Sequence, residues 1–298
     1  MTDPHDHAGE LKEFKREHDF FIGIDSDGCA FDSMEIKHKE CFIPNIIKYW
    51  KLQAVSKYAR EAAEFVNLYS KWRGINRFPA LVKVFDLLKE WDDVRKREVK
   101  VPEAAKVRDF IASGLPLGNP ALKKEVERTD DPELKLALEW SEAVNRTVED
   151  MVEGVPPFPF VRESLEKLKG KADMVVVSAT PTEALAREWQ EHDIAKYVRV
   201  IAGQEMGKKE EHLAMAARDR YEPESILMIG DAPGDMKAAR ANNALFYPII
   251  PGKEDESWKK FHDESMDVFF RGEYAGEYED RLVKEFLSYL PETPPWKK

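Results

Sequence analysis

Carboxylates, hydroxyls and two lysines stand at four places in the sequence, three of them directly after a short apolar run. These places are Asp25-Ser26-Asp27-Gly28, Ser178-Ala179-Thr180, Gly207-Lys208-Lys209 and Gly230-Asp231-Ala232-Pro233-Gly234-Asp235. Four carboxylates without a histidine or cysteine at ligand spacing suit a hard cation such as Mg²⁺. A cation, a lysine and a hydroxyl together suit an anionic phosphoryl group. The residue types therefore indicate phosphoryl chemistry, provided that the fold brings the four segments together.

The elements that must position these residues are strands. The apolar run Phe20–Ile24 predicts a buried strand. Further strands are predicted over 172–178, 198–202, 225–230 and 244–250, alternating with helices over 161–168, 183–191, 210–218 and 236–241. This alternation implies right-handed crossovers and a parallel sheet, so we expect a Rossmann-like three-layer α/β/α core. Ligands of such a sheet bind at the carboxyl ends of the strands, where the four segments would converge.

A helical pattern fills the stretch between the first predicted strand and the others. Apolar residues recur three and four positions apart over 58–72, 80–91, 104–111 and 134–151, with prolines between these segments. We expect residues 1–33 and 157–298 to form the α/β core domain. Residues 34–156 would form an all-helical domain inserted into it.

Composition excludes several classes of protein. The 298 residues carry a formal net charge of −11, which argues against a nucleic-acid partner, because phosphate backbones require a basic surface. The sequence has no apolar run long enough to cross a bilayer and no pattern of a secretory signal, so no membrane partner is expected. Two cysteines cannot form a disulfide framework, which fits the cytoplasm. The composition leaves the oligomeric state open.

The chemistry-bearing segments together resemble the motifs of the haloacid dehalogenase-like (HAD) phosphohydrolase superfamily. IDSDGCAFDS resembles the first motif, VVVSAT the second, the lysine segment the third and MIGDAPGDMKAA the fourth, in the order of the family. The resemblance covers about residues 20–33 and 157–250. The helical stretch that follows the first motif resembles the C1-type cap of the family, a lid over the active site.

The resemblance implies a role for each catalytic position. Asp25 matches the nucleophile that forms an aspartyl-phosphate, and Asp27 matches the general acid and base. Ser178, with Ala179 beside it, matches the segment that binds the transferring phosphoryl group. One lysine matches the cation that neutralises the charges of nucleophile and phosphate. Its spacing favours Lys209, and the adjacent Lys208 stays an alternative.

The resemblance also implies a metal site. Asp231 matches the principal carboxylate ligand of Mg²⁺, and Asp235 matches a supporting acid. Asp25 and Asp27 complete the expected set, with Asp27 offering its backbone carbonyl. The expected function is that of a Mg²⁺-dependent phosphatase acting on a small phosphorylated metabolite.

Two alternatives to the phosphatase stay open. One is a phosphotransferase or phosphomutase that uses the same aspartyl-phosphate. The other is a catalytically silent binding protein on the same fold. Carbon–halogen and carbon–phosphorus cleavage are disfavoured, because the branches of the family that perform them typically lack the second aspartate of the first motif, present here as Asp27.

The helical stretch contains one further candidate, a loop over residues 72–78 with two arginines. Arg73 or Arg77 could bind a carboxylate or a second anionic group of the substrate, since guanidinium groups match such anions. The alternative interpretation is an ordinary connection between two helices.

Overall fold

The computed structural model describes residues 8–297, and their contacts form two compact units. One unit consists of the chain up to Ser33 together with Gly154–Tyr289. The other consists of Met34–Glu153 together with the chain from Leu290 onward. The polypeptide therefore passes between the units after Ser33, after Glu153 and after Tyr289.

Within the described residues, the first unit contains one parallel sheet of five strands. The strands are β1 (Phe20–Ile24), β2 (Ala172–Val177), β3 (Val200–Ala202), β4 (Ile226–Gly230) and β5 (Leu245–Pro248). Their order across the sheet is β3-β2-β1-β4-β5, and every pair is parallel. All six residues of β2 are buried, as expected for an inner strand covered on both faces. The order places β1 at the centre, with β2 and β4 on either side.

Helices precede, connect and follow the strands of this unit. They are Gly9–Lys12, Val161–Leu168, Thr182–Glu191, Lys209–Ala216, Pro233–Ala241, Glu254–Lys260, Met266–Phe270 and Glu277–Ser288, with a π-helix over Phe261–Ser265 and 3₁₀ turns at Ala195–Tyr197, Gln204–Met206 and Pro223–Ser225. The alternation of strands and helices confirms the predicted Rossmann-like three-layer α/β/α fold.

A glycine in β1 determines how closely one of these helices packs. A Cβ atom at Gly23 would lie 3.0 Å from Cδ2 of Leu213 and 3.0 Å from Sδ of Met228. The missing side chain therefore lets the helix Lys209–Ala216 pack tightly against the central strand. As a result, the first residue of that helix, Lys209, reaches the carboxyl end of β1.

A buried carboxylate at the opposite end of the sheet holds the segment that precedes β1. Asp173 is fully buried and accepts hydrogen bonds from the backbone amides of Glu17 and His18, each at 2.9 Å. The hydroxyl of Tyr221 and the guanidinium of Arg199 donate to it as well, both at 2.6 Å. Burial raises the pKa of Asp173, but these donors outweigh burial and bring the pKa down to about 2.

The second unit is helical throughout its described part. Its helices are Ser33–Ile36 at the boundary, Ile43–Tyr49, Ser56–Asn67, Arg77–Glu90, Asp92–Arg95, Ala105–Ala112, Asn119–Thr129 and Pro132–Met151, with a π-helix over Lys37–Phe42 and 3₁₀ turns at Gln53–Val55 and Pro295–Lys297. The carboxyl-terminal segment packs on this unit, because the ring of Trp296 stacks on Trp91 with their centroids 4.0 Å apart. No helix within residues 8–297 has the length and apolar character needed to cross a membrane.

Candidate active site

The central strand ends at a buried aspartate. Asp25 follows β1 directly and is 4% exposed. Its backbone amide donates to the carbonyl of Ile229 at 3.0 Å, so the pairing of β1 with β4 extends to this residue. Its Oδ1 accepts a hydrogen bond from the amide of Ser26 at 2.8 Å, and its Oδ2 lies 2.8 Å from Nζ of Lys209. The sheet and these two donors therefore fix the orientation of the carboxylate.

The neighbouring strand β4 delivers two more carboxylates. Asp231 follows it directly, and Asp235 lies in the first turn of the helix Pro233–Ala241. Oδ2 of Asp235 accepts hydrogen bonds from the backbone amides of Asp231 at 3.2 Å and Ala232 at 3.0 Å. These contacts satisfy amides at the start of the helix that have no intrahelical partner.

Close packing brings Asp235 against the end of β4. A Cβ atom at Gly230 would lie 2.4 Å from Cβ and 2.5 Å from Cγ of Asp235. No side chain fits at that distance, so glycine at position 230 allows the side chain of Asp235 to lie against the end of β4.

Three of the predicted residues form one buried acidic cluster. Carboxylate oxygens of Asp25, Asp231 and Asp235 all lie within 4.8 Å of one another. Nζ of Lys209 is 2.8 Å from Asp25 and 2.6 Å from Oδ1 of Asp235. Three carboxylates against one ammonium give the ionised cluster an excess of negative charge. An all-oxygen set of this kind fits a hard divalent cation.

The charges within the cluster perturb one another. Burial raises the pKa of Asp25 well above its usual range, Lys209 opposes this, and the carboxylates of Asp235 and Asp231 add to it. Burial lowers the pKa of Lys209, but the carboxylates of Asp235 and Asp25 outweigh burial and raise it. A bound cation would relieve the repulsion between the carboxylates.

The side chains of the two adjacent lysines lie in different environments. Gly207 has φ +119°, a conformation that favours glycine, and the chain then enters the helix Lys209–Ala216. Lys208 precedes this helix, its side chain is exposed, and its backbone amide donates to Oε2 of Glu211 at 2.7 Å. The ammonium of Lys209 lies in the acidic cluster instead.

Asp27 has its own hydrogen-bond partners. Oδ2 accepts a hydrogen bond from Oγ1 of Thr180 at 2.6 Å, and Oδ1 accepts one from Oγ of Ser33. The cluster that the described residues form consists of Asp25, Asp231 and Asp235, without the carboxylate of Asp27. The sequence alone does not indicate that Thr180 and Ser33 are partners of Asp27. Both stand inside the quoted motifs, but spacing does not reveal what a hydroxyl contacts.

The segment after β2 carries the predicted phosphoryl-binding residues. Ser178 is 2% exposed, and its amide donates to the carbonyl of Ala202 at 3.0 Å. Its Oγ accepts a hydrogen bond from the amide of Thr180 at 3.3 Å. Ala179, between them, is exposed. This segment therefore combines a fixed hydroxyl with an accessible residue.

The two arginines of the predicted loop have partners inside the helical unit. Arg73 is 3% exposed, and its guanidinium donates to the carbonyl of Leu68 at 2.8 Å. Arg77 donates to the carbonyl and hydroxyl oxygens of Ser141 at 3.0 and 2.9 Å, and to Oδ1 of Asn145 at 2.7 Å. Burial lowers the pKa of Arg77 to about 10. Binding of a substrate anion by either residue stays a prediction.

The chain forms a parallel α/β sheet with an acidic cluster at its carboxyl edge. A helical segment lies in the chain between the first two strands. These features together are typical of an enzyme of the α/β class. The sequence profile of the haloacid dehalogenase-like hydrolase family matches residues 98–247, which is half of the chain. The chain belongs to this family. The matched residues include the segments of Ser178, Lys209 and Asp231, whereas Asp25 and Asp27 lie ahead of them.

The chain also resembles individual proteins. It is 35% identical over 95 residues to the phosphoglycolate phosphatases of Escherichia coli and Salmonella typhimurium. The match covers 30% of this chain and 38% of the length of those relatives. A haloacid dehalogenase-like family hydrolase of Streptococcus pneumoniae is 17% identical, with a TM-score of 0.43 and coverage of 82% of this chain and 91% of the other. A HAD-superfamily hydrolase of Geobacter sulfurreducens is 15% identical, with a TM-score of 0.40 and coverage of 79% and 89%.

Proposed function

We propose that the chain is a Mg²⁺-dependent phosphatase that hydrolyses a small phosphorylated metabolite through an aspartyl-phosphate on Asp25. One observation carries this proposal: the ammonium of Lys209 lies between the buried carboxylates of Asp25 and Asp235, within hydrogen-bond distance of both. A nucleophilic carboxylate can meet an anionic phosphoryl group only where positive charge offsets the repulsion. Membership of the hydrolase family supports the same conclusion.

The residues present fit the metal that this proposal requires. Asp25, Asp231 and Asp235 would hold Mg²⁺, and the resemblance to the family adds the backbone carbonyl of Asp27. When bound, the ion supplies positive charge that stabilises the phosphoryl oxygens.

The chain's own residues account for both halves of the reaction. A carboxylate oxygen of Asp25 bonds to phosphorus while the ester P–O bond breaks, and Asp27 gives its proton to the leaving oxygen. Asp27 then takes a proton from water as the water oxygen bonds to phosphorus. The bond between phosphorus and Asp25 breaks in this second step, and inorganic phosphate leaves. Ser178 and Ala179 bind the phosphoryl oxygens, and Lys209 neutralises their charge.

The substrate class follows from the relatives and from the helical unit. The curated relatives are named phosphoglycolate phosphatases, so phosphoglycolate is the first substrate to test. We assign to the helical unit the role of the family's cap, which selects the substrate. Of the two arginines in the loop over residues 72–78, Arg77 is the better candidate for a second anionic group, because it is partly exposed whereas Arg73 is 3% exposed.

The proposal is tested by measuring phosphate release from phosphoglycolate and from a panel of phosphorylated metabolites, with Mg²⁺ and with excess chelator. Asp25→Asn is the inactive variant, and Asp280→Asn, exposed in the helix Glu277–Ser288, is its matched control. Release that requires both Mg²⁺ and Asp25 is the expected result. Formation of a phosphorylated isomer without free phosphate would support the mutase or transferase instead. Binding of these compounds without any turnover would support the silent binding protein.

A further inference from the structure

We infer that Thr180 is a positioning residue for Asp27, holding the carboxyl group in the orientation in which it gives and takes the proton. The inference rests on the proposed function of Asp27 as general acid and base. Its basis is the contact between Oγ1 of Thr180 and Oδ2 of Asp27, at 2.6 Å.

The backbone around Thr180 fixes this hydroxyl. The carbonyl of Thr180 accepts a hydrogen bond from the amide of Gln204 at 3.0 Å, and its own amide donates to Ser178 at 3.3 Å. A Cβ atom at Gly203 would lie 2.7 Å from that carbonyl oxygen and 2.5 Å from the amide nitrogen of Thr182. The loops after β2 and β3 are therefore in close contact, which leaves Thr180 little room to move.

The chemistry of the side chain suits the task. Thr180 and Ser33 donate to different oxygens of Asp27, and two donors on two oxygens define the plane of a carboxyl group. A carboxyl group keeps lone pairs on its oxygens when it is protonated, so Thr180 can donate to Asp27 in both protonation states and leave the proton of Asp27 for the leaving oxygen. The branched Cβ of threonine also restricts χ1, which keeps the hydroxyl in place.

A positioning role predicts a selective kinetic defect. Thr180→Val keeps the shape of the side chain and removes the hydroxyl. We expect kcat/KM for an alkyl phosphate, which reports formation of the aspartyl-phosphate, to fall by about 10- to 100-fold, because a small displacement of the acid weakens proton transfer to a poor leaving group. An aryl phosphate needs little protonation, so its kcat/KM should fall much less. KM should change little for either substrate, and Thr180→Ser, which retains the hydroxyl, should restore most of the activity.

The decisive experiment combines Thr180→Val with Asp27→Asn. If Thr180 acts through Asp27, the double variant should be no slower than Asp27→Asn alone. Thr182→Val is the matched control, since its hydroxyl donates to Glu205 at 2.8 Å and not to Asp27. Thermal unfolding of each variant reports on folding. If Thr180→Val is unfolded, the same comparison is made with Thr180→Ala and Thr180→Ser.

Three results would overturn the inference. They are a near-wild-type kcat/KM of Thr180→Val on the alkyl phosphate, equal losses of kcat/KM on both substrates, and an additive loss in the double variant. Failure of the proposed function has a different signature. In that case kcat/KM of Asp27→Asn itself would be equally impaired on both substrates or not impaired at all, whatever Thr180→Val does.

Discussion

The ammonium of Lys209 lies 2.8 Å from Oδ2 of Asp25, at the point where the central strand ends. The same ammonium reaches Asp235 at 2.6 Å, so one cation connects carboxylates that follow two neighbouring strands. Because all three side chains are largely buried, water screens their charges weakly. Each carboxylate stabilises the ammonium, and the ammonium limits the repulsion between the carboxylates.

The first prediction concerns this lysine. Lys209→Met should lower kcat/KM for phosphate release by about 10²–10³-fold, the range expected when one group that stabilises developing charge is lost. Steady-state kinetics on a common substrate measures the effect. Lys208→Met is the control, because its exposed side chain should contribute only about a twofold change. A larger loss of kcat/KM in Lys208→Met than in Lys209→Met would make Lys208 the catalytic lysine instead.

The second prediction concerns the packing that places Asp235. Gly230→Ala would bring a Cβ atom to 2.4 Å from Cβ of Asp235, so Asp235 must shift. We expect a loss of about 1–3 kcal/mol in the free energy of unfolding, typical of overpacking, together with weaker Mg²⁺ binding. Chemical denaturation and calorimetric titration with Mg²⁺ measure the two effects.

The matched control is Gly234→Ala. Gly234 lies in the helix that carries Asp235 and, three residues after Gly234, Lys237. A Cβ atom there meets nothing within 4 Å. Alanine is the better helix former, so this variant should be neutral or more stable by up to about 1 kcal/mol. If both variants lose the same stability and the same Mg²⁺ affinity, the close contact at Gly230 is not the cause.

The strands and the edge at which the site forms could be predicted from the sequence, because their signals are local. The apolar run Phe20–Ile24 ends at polar residues, and the structure has β1 with these bounds. The helix Asn119–Thr129 lies between the predicted segments 104–111 and 134–151, where the prolines indicate a break. Proline is well tolerated in the first turn of a helix, which is where Pro120 lies.

Contacts between distant residues could not be predicted in this way. The hydrogen bond from Thr180 to Asp27 depends on how the loops after β1 and β2 meet. The stacking of Trp296 on Trp91 depends on the path of the chain after Tyr289. Neither contact has a periodic signal, since both arise from packing between segments far apart in the sequence.

The third prediction concerns the carboxyl-terminal segment. Trp296→Ala should destabilise the helical unit by about 1–3 kcal/mol, because it removes a stacked ring and an edge contact with Phe65. Denaturation followed by tryptophan fluorescence measures the change. Lys297→Ala is the control, since its ion pair with Glu90 lies at the surface and should contribute less than about 1 kcal/mol. Equal stability of the two variants would show that the segment does not support the unit.

The fourth prediction concerns pH. The pKa of Asp173 is about 2 in the folded protein, below the value of about 3.9 expected in the unfolded chain. A depressed pKa contributes stability that is fully present above the unfolded value and is lost as the pH falls through the folded value. The free energy of unfolding of Asp173→Asn should therefore be lower than that of wild type by on the order of 1–2 kcal/mol at neutral pH. This difference should shrink between about pH 4 and pH 2.

Denaturation curves of wild type and Asp173→Asn over that pH range measure the difference. Asp19→Asn is the control, because its side chain is 86% exposed and its ion pair with Arg16 should add little. If the difference in the free energy of unfolding between wild type and Asp173→Asn stays constant with pH, the donors do not stabilise the charged form of Asp173.

The last prediction concerns the metal and does not depend on turnover. A ligand that binds the folded state alone stabilises it, by about 2.7 kcal/mol at a concentration of one hundred times Kd. Since three buried carboxylates lie within 4.8 Å of one another, Mg²⁺ should raise the thermal unfolding temperature, and chelator should reverse the rise. Ca²⁺ should also bind, but should support less activity, because it takes more ligands at longer distances. Asp231→Asn should abolish most of the Mg²⁺ response, whereas Asp280→Asn should keep it. A Mg²⁺-induced rise of equal size in Asp231→Asn would place the ion elsewhere on the protein.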